Sequence, residues 1–218
     1  AIGKGALDAN TTASYNTGVG NNSLGSNTTG EYNTAIGWQS LDVNTTGAEN
    51  AAGGWNALGS NTTGSFNTAF GGGSLDANTT ASNNAAFGHK ALTENTTGAD
   101  NTAIGTAALD ANTTGSYNAA IGRHALGANT TGEENVAVGY SALDANTTGV
   151  SNVAIGSGAL GTNVAGDQST AVGTNALFTQ NPSGNADMNN TAVGYHALRL
   201  NTTGANNNAL GQSAMAAN

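Results

Sequence analysis

The sequence contains no cysteine and only one proline, Pro182, among its 218 residues. The absence of cysteine excludes disulfide bridges but does not fix a cellular compartment. Only 8% of the residues are charged, and the four Lys and Arg residues are not clustered. A surface that binds duplex nucleic acid needs clustered positive charge to neutralise phosphates, so we expect no nucleic-acid partner.

Long apolar runs and strong charge runs are also missing. No apolar stretch approaches the roughly 20 residues that span a bilayer, so we expect no membrane span in this segment. The formal net charge of −9 comes from 13 scattered acids, which indicates solubility rather than a particular partner.

Glycine is abundant, with 33 residues, and it is regularly placed. A motif glycine recurs every seventeen residues from Gly3 to Gly173, and it returns at Gly194 and Gly211. Apolar residues make up 37% of the chain and hold the same positions in each unit. Disordered chains have few apolar residues, so fixed apolar positions predict a packed repeat.

A seventeen-residue unit is too short for a helical hairpin, and its Thr, Ile and Val favour short strands. We therefore predict an all-β, parallel β-solenoid of about thirteen coils, one for each motif glycine. Within one unit we expect a strand around Asn101–Ile104, a turn at Gly105, a second short strand around Ala107–Ala111, and a corner at Asn112–Gly115.

The sequence also predicts which residues lie inside the coil. Two apolar positions in each unit are expected to stack in the structural core, at Ile36, Leu41, Ile104, Leu109, Ile121, Leu126, Val138 and Leu143. The alanine before the first of these two positions is equally restricted, and neighbours in a strand point to opposite faces. This alanine is our candidate subunit contact, at Ala35, Ala103, Ala120 and Ala137, although alanine could instead fit a narrow coil.

The predicted array spans 1–218 and is interrupted once, at 178–190, where four extra residues predict a bulged loop outside the coil. The array starts and stops within the motif, without a polar capping unit. Repeat arrays need caps against end-to-end association, so we expect a segment of a longer fibre.

Ten units carry Asn-Thr-Thr, which matches the N-glycosylation acceptor pattern. Candidate glycan acceptors include Asn10, Asn27, Asn112 and Asn146. Stacked asparagines could instead hydrogen-bond to one another between coils, which alone would favour Asn at every corner. A threonine row on a flat face could order water, as in ice-binding solenoids.

The residue directly after the repeated leucine of each unit alternates between Asp and Gly in much of the chain, as at Asp42, Gly59 and Asp76. Equivalent residues of adjacent coils would lie about 4.8 Å apart, where consecutive carboxylates would repel.

No residues form a catalytic or metal-ligating pattern, so we expect no enzyme, no cofactor and no metal. The histidines, such as His89 and His124, have no second ligand at metal-binding spacing. The variable position after the motif glycine carries exposed aromatic candidates, among them Trp38 and Trp55. These rings could stack on sugars or matrix polymers, or they could cover turns or neighbouring subunits.

The unit Asn-Thr-Ala-Ile-Gly-x-x-Ala-Leu resembles the head repeats of YadA-like trimeric autotransporter adhesins. It is similar as well to the Asn-Thr-Ala-Val-Gly-Tyr repeats of phage tail fibres, as at Asn190–Tyr195. The adhesin resemblance implies a left-handed β-roll, three chains side by side, and a cell-surface location where the head binds matrix or other cells. The unit here is longer than the adhesin repeat, and no coiled-coil stalk accompanies it.

We therefore expect a structural or adhesive segment of an extracellular fibre, on a cell surface or a virion. It would be a β-solenoid rod that displays a surface for attachment and forms a homo-oligomer, with a cell-surface, matrix or glycan ligand. The alternative is a self-polymerising filament subunit without a receptor. An ice-binding or glycosylated surface-layer solenoid is a minor alternative.

Overall fold

The computed structural model of the chain describes residues 1–217, so Asn218, the last residue of the predicted array, lies outside them. These residues fold as a parallel β-solenoid of seventeen-residue coils, which confirms the predicted fold class. Residues 1–217 include no helix, and hence none that could cross a membrane. The chain divides into two compact units, Ala1–Ala107 and Ala108–Asn218.

Unit 1 stacks its coils through one short strand per coil. Within residues 1–107 the strands are β1 (Thr17–Val19), β2 (Thr34–Ile36), β3 (Ala51–Gly53), β4 (Thr68–Phe70), β5 (Ala85–Phe87) and β6 (Thr102–Ile104). Each strand pairs in parallel with the next at a shift of seventeen residues, as in Thr17 with Thr34. Equivalent side chains therefore lie in rows along this unit.

Unit 2 repeats the arrangement. Within residues 108–217 the strands are β7 (Ala119–Ile121), β8 (Val136–Val138), β9 (Val153–Ile155), β10 (Gly166–Asp167), β11 (Thr170–Val172), β12 (Ala186–Asp187), β13 (Thr191–Val193) and β14 (Asn208–Leu210). The series β7, β8, β9, β11, β13 and β14 is parallel throughout, and β10 pairs separately with β12.

The chain makes about eleven turns rather than the thirteen expected from the motif glycines. Thirteen glycines delimit only twelve intervals. The first interval begins at Ile2, which forms an isolated bridge with Val19 rather than a strand. Each strand covers three residues, so the strand expected around Asn101–Ile104 begins one residue later, at Thr102.

The segment after the motif glycine is a turn, so the prediction of a second strand around Ala107–Ala111 is wrong. Leu126, at the equivalent of Leu109, adopts φ 52° and His124 adopts φ 57°, both in the left-handed region. That region costs a non-glycine residue roughly 1–2 kcal/mol, which burial of a Leu side chain, worth about 1.5–3 kcal/mol, can offset. The turn still bonds between coils, since Leu126 N–H donates to the Ala142 carbonyl at 3.0 Å.

The motif glycine itself is required by close packing of the backbone. Gly122 has φ 134°, and a Cβ added there would lie 2.5 Å from the carbonyl oxygen of Gly139 in the next coil. No side chain can occupy that space without moving backbone, which explains why glycine recurs at this position.

The interruption at 178–190 is only partly outside the coil. Gln180 is fully buried and Met188 is 2% exposed, so the expectation of a loop lying outside the coil is wrong for these two residues. The Gln180 amide donates to Asn163 Oδ1 at 3.2 Å, and its Oε1 accepts from Asn190 Nδ2 at 2.8 Å. The longer glutamine side chain thus takes the place of an asparagine where four extra residues enter.

Candidate functional site

The middle residue of each strand faces the coil interior, and the residues beside it face outward. In β7, Ala120 is fully buried whereas Ile121 is 41% exposed. The alternation follows from strand geometry, in which successive side chains point to opposite faces. The small residue therefore lies inside and the large apolar residue lies outside.

This facing reverses part of the sequence prediction. The leucines of the predicted core are fully buried, at Leu41, Leu109, Leu126 and Leu143. The strand residues of that core are misassigned: Ile36, Ile104 and Ile121 are 49%, 40% and 41% exposed, and Val138 is half-buried. The candidate subunit contacts are also wrong, because Ala35, Ala103, Ala120 and Ala137 are fully buried inside the coil.

The coil interior is too narrow for a large strand residue. At Gly18, an added Cβ would lie 3.1 Å from Ser23 Oγ and 3.3 Å from Leu7 Cγ. One methyl group therefore fills the space opposite the leucine row. A branched side chain at this position would collide with the leucine. Alanine is restricted because the coil is narrow, which was the alternative explanation.

An apolar row consequently runs along the outer face of each unit. In unit 1 it includes Ile36, Phe70 and Phe87, and in unit 2 it includes Ile121 and Ile155, all of them 39–49% exposed. Where the row has Gly53, the Phe70 ring occupies the free space, since an added Cβ there would collide with that ring. Phe70 also stacks on Phe87, with centroids 5.9 Å apart.

The asparagines of the Asn-Thr-Thr corners form a buried hydrogen-bonded ladder. Asn44 Nδ2 donates to Asn27 Oδ1 at 2.8 Å, and Asn61 Nδ2 donates to Asn44 Oδ1 at 2.8 Å. In unit 2, Asn129 and Asn146 continue the same pattern with bonds of 2.8 and 2.9 Å. The ladder confirms the hydrogen-bonding explanation for these asparagines.

Burial in the same ladder contradicts three of the four glycan candidates. Asn27, Asn112 and Asn146 are fully buried, and Asn10 is half-buried. The Nδ2 atom, which would carry the sugar, already donates: in Asn10 to the Ala13 carbonyl at 3.0 Å, and in Asn112 to the Gly115 carbonyl at 2.9 Å. The three fully buried asparagines leave no space for a sugar in the folded coil, whereas Asn10 is half-buried and stays a prediction.

The first threonine of most Asn-Thr-Thr corners uses its hydroxyl within the fold. Thr45 Oγ1 donates to the Thr62 carbonyl at 3.0 Å, and Thr62 Oγ1 donates to the Thr79 carbonyl at 3.0 Å. These hydroxyl protons bind the backbone of the next coil and are not free to order water.

The Asp and Gly alternation has a steric cause besides charge repulsion. A Cβ added at Gly25 would lie 2.8 Å from Asp42 Oδ1, and one added at Gly127 would lie 2.7 Å from Asp144 Oδ1. The glycine thus makes room for the carboxylate of the following coil. Burial raises the pKa of Asp42, and a hydrogen bond from Gln39 opposes this effect.

Aromatic residues stack in register on the outside of unit 1. The rings of Tyr15 and Tyr32 lie 4.8 Å apart, and those of Trp38 and Trp55 lie 6.2 Å apart with planes within 4° of parallel. All four rings are 47–74% exposed. The two rings of each pair are seventeen residues apart, in the register of the strands, and each pair is both stacked and exposed.

Reactive groups do not converge in the part of the chain that the structure describes. Among residues 1–217 no group of three or more His, Asp or Glu side chains could hold a metal ion. His89 is exposed, and His124 is half-buried. The absence of enzymatic activity stays a prediction from the sequence.

No family model, curated protein or solved structure matches the chain. The similarity to YadA-like heads and to phage fibre repeats therefore remains a resemblance of the motif.

Proposed function

We propose that this chain is a structural segment of an extracellular fibre, in which the outward apolar row joins copies of the chain side by side. The remaining surface, including the exposed aromatic residues, is displayed for attachment. The motif resemblance to YadA-like adhesin heads supports both the side-by-side assembly and the surface location. The observation that carries the proposal is the apolar row that faces outward in each unit, with members that are half-buried or exposed.

In unit 2 this row contains Ile121, Val138, Ile155, Val172 and Val193, and none of its members is charged. Their outward neighbours at the start of each strand are Ala, Val or Thr, so the strip is two residues wide and without charge. Contiguous exposed apolar surface of this kind marks an interaction site on a soluble protein.

Another copy of the chain is the partner that fits the strip best. Its apolar residues repeat at the spacing of adjacent strands, about 4.8 Å. A second coil stack has the same spacing and can match every residue along the strip, whereas an irregular protein surface would match only a few.

Sedimentation velocity of the purified chain tests this assembly. We expect a discrete oligomer, and a double variant Ile121→Lys with Ile155→Lys should dissociate it while keeping the β-rich circular dichroism spectrum. The control is Thr131→Lys, at an exposed residue outside the row, which should leave the oligomer intact. A parent protein that stays monomeric at all concentrations would refute the proposal.

The same experiment separates the two modes of assembly. A trimer of fixed size favours the adhesin-like head, whereas particles that lengthen with concentration favour the self-polymerising filament. Attachment is tested separately, by binding of the assembled chain to immobilised matrix proteins and glycans. A filament without any such binding would support the purely structural alternative.

A further inference from the structure

Four consecutive coils of unit 1 carry Trp38, Trp55, Gly72 and His89 at the position after the motif glycine. Gly72 is the one glycine that the sequence has at this position. The two indole rings are 47% and 53% exposed and stack nearly parallel. In the coil after the two stacked indoles this position has no side chain, and in the coil after that it has an imidazole.

The distances around Gly72 set an upper limit on the width of the gap. A Cβ placed on Gly72 would lie 3.7 Å from Trp55 Cε3 and 3.7 Å from His89 Cδ2, and these are its nearest side-chain neighbours. Because both atoms are 3.7 Å from one point, they are at most 3.7 + 3.7 = 7.4 Å apart. A carbon atom at that point touches both rings without displacing either.

This upper limit admits a flat ring and nothing thicker. Stacked planar groups lie about 3.5 Å from each other, so one ring between two others needs roughly 7 Å. A pyranose chair is thicker than an aromatic ring and would force the walls apart. The neighbouring Gly73 extends the bare floor, and its nearest side-chain atoms, at 3.9 Å, are Trp55 Cζ3 and Lys90 Cγ.

The Lys90 side chain, which carries a positive charge, lies beside Gly73 next to the gap. It is exposed, and it is one of only four Lys and Arg residues in a chain of net charge −9. A cation beside an aromatic slot favours an aromatic ligand that bears a negatively charged substituent.

We propose that the gap at Gly72 binds a small planar aromatic anion, such as an aromatic carboxylate. Its ring lies between Trp55 and His89, in the place of the missing side chain, and its carboxylate faces Lys90. This site is independent of the proposed fibre assembly and gives the displayed surface a specific ligand class.

Tryptophan fluorescence provides the test, because Trp38 and Trp55 are the two tryptophans of the chain. The full chain is titrated with 2-naphthoate, and with two matched probes: neutral 2-naphthamide and non-planar cyclohexanecarboxylate. We expect 2-naphthoate to bind one site per chain, 2-naphthamide to bind at least threefold more weakly, and cyclohexanecarboxylate not to bind. Equal binding of the planar and non-planar acids would overturn the proposal.

The variant Gly72→Ala separates the slot from general surface binding. Its methyl group fits at ordinary contact distance, so the fold should tolerate it, yet it occupies the middle of the gap. We expect affinity for 2-naphthoate to fall at least tenfold with an unchanged melting temperature. The control Gly184→Ala, where an added Cβ meets nothing within 4 Å, should bind like the parent.

Lys90→Gln tests the charge. It should weaken 2-naphthoate and leave 2-naphthamide unaffected. Unchanged binding of 2-naphthoate by Gly72→Ala would overturn the proposal, as would binding of cellohexaose without any binding of 2-naphthoate.

Discussion

The side-chain amide of Asn61 donates a hydrogen bond of 2.8 Å to the side-chain oxygen of Asn44, seventeen residues earlier in the chain. The oxygen of Asn61 in turn accepts from Asn78 at 2.9 Å, and Asn61 is fully buried. Each amide therefore both donates and accepts along the stack. An asparagine ladder of this kind links neighbouring coils at a corner where there are few large apolar side chains to pack.

Removing one member of the ladder should be costly. Asn61→Ala leaves the Asn44 oxygen without its donor, now at 2.8 Å, and one amide hydrogen of Asn78 without its acceptor, now at 2.9 Å. The Gly64 carbonyl loses the Asn61 bond but keeps one from Asn50 Nδ2 at 2.9 Å. Each buried group without a partner costs about 1–3 kcal/mol, so we expect a loss of about 2–5 kcal/mol in the free energy of unfolding. Urea denaturation measures it. The matched control Thr63→Ala, at an exposed residue of the same corner, should change stability by less than about 0.5 kcal/mol.

The facing of the strand predicts a contrast between two apolar truncations. Leu126 is fully buried and Ile121 is 41% exposed. Leu126→Ala should cost about 2–5 kcal/mol in the free energy of unfolding. Ile121→Ala should cost less than about 1 kcal/mol when measured at concentrations where the chain is monomeric. Equal losses for the two variants would contradict the assigned facing.

The period of the motif was sufficient to predict the coil, its parallel stacking and the leucine core. It could not predict the facing of the strand, because Ala103 and Ile104 are both apolar and alternate in any strand. The depth of the coil interior decides which of the two faces inward, and that depth depends on the residues on the opposite side of the coil. The left-handed turn at Leu126 was missed because leucine does not favour that conformation, whereas packing and inter-coil hydrogen bonds impose it.

The motif glycine predicts the largest single-residue effect on folding. Gly122→Ala places a Cβ 2.5 Å from a carbonyl oxygen at φ 134°, so backbone must move. We expect a loss of at least about 3 kcal/mol, or failure to fold. Thermal denaturation followed by circular dichroism compares it with Gly184→Ala, which should melt like the parent. A Gly122→Ala variant of normal stability would contradict the close approach of the coils.

Stability should depend on pH through Asp76. Burial raises the pKa of this carboxyl above its ordinary value of 3.8, and a hydrogen bond from Asn56 opposes the shift. The folded state then binds more protons than the unfolded state between 3.8 and the raised pKa, so the contribution of Asp76 to stability is present at low pH and lost as pH rises through that window.

Asp76→Asn keeps the shape of the side chain and removes its charge. It should therefore raise the melting temperature at pH 7, with a difference that shrinks as the pH falls from the raised pKa of Asp76 to 3.8. Scanning calorimetry at several pH values measures this difference. Asp8→Asn, at an exposed aspartate, controls for the loss of one negative charge. A constant difference at all pH values would show that ionisation is not the cause.

The candidate site was only partly visible in the sequence. The aromatic residues at Trp38 and Trp55 stood out because their position varies while the rest of the unit repeats. The gap at Gly72 did not stand out, since glycine is common in this chain and its meaning depends on the rings of the two neighbouring coils. The outward apolar row was not predicted, because the motif pattern placed Ile121 inside the coil and Ala120 outside it.

The facing and the assembly can be tested together by cysteine reactivity, because the chain has no cysteine of its own. Single variants Ile121→Cys, Ala120→Cys and Glu133→Cys are treated with a maleimide over a range of protein concentrations. Glu133 is exposed and serves as the reference. We predict that Ala120→Cys is unreactive throughout, and that Ile121→Cys is protected at concentrations where the chain is assembled. If Ile121→Cys instead reacts as fast as Glu133→Cys at every concentration, the outward row is not an interface and the account is contradicted.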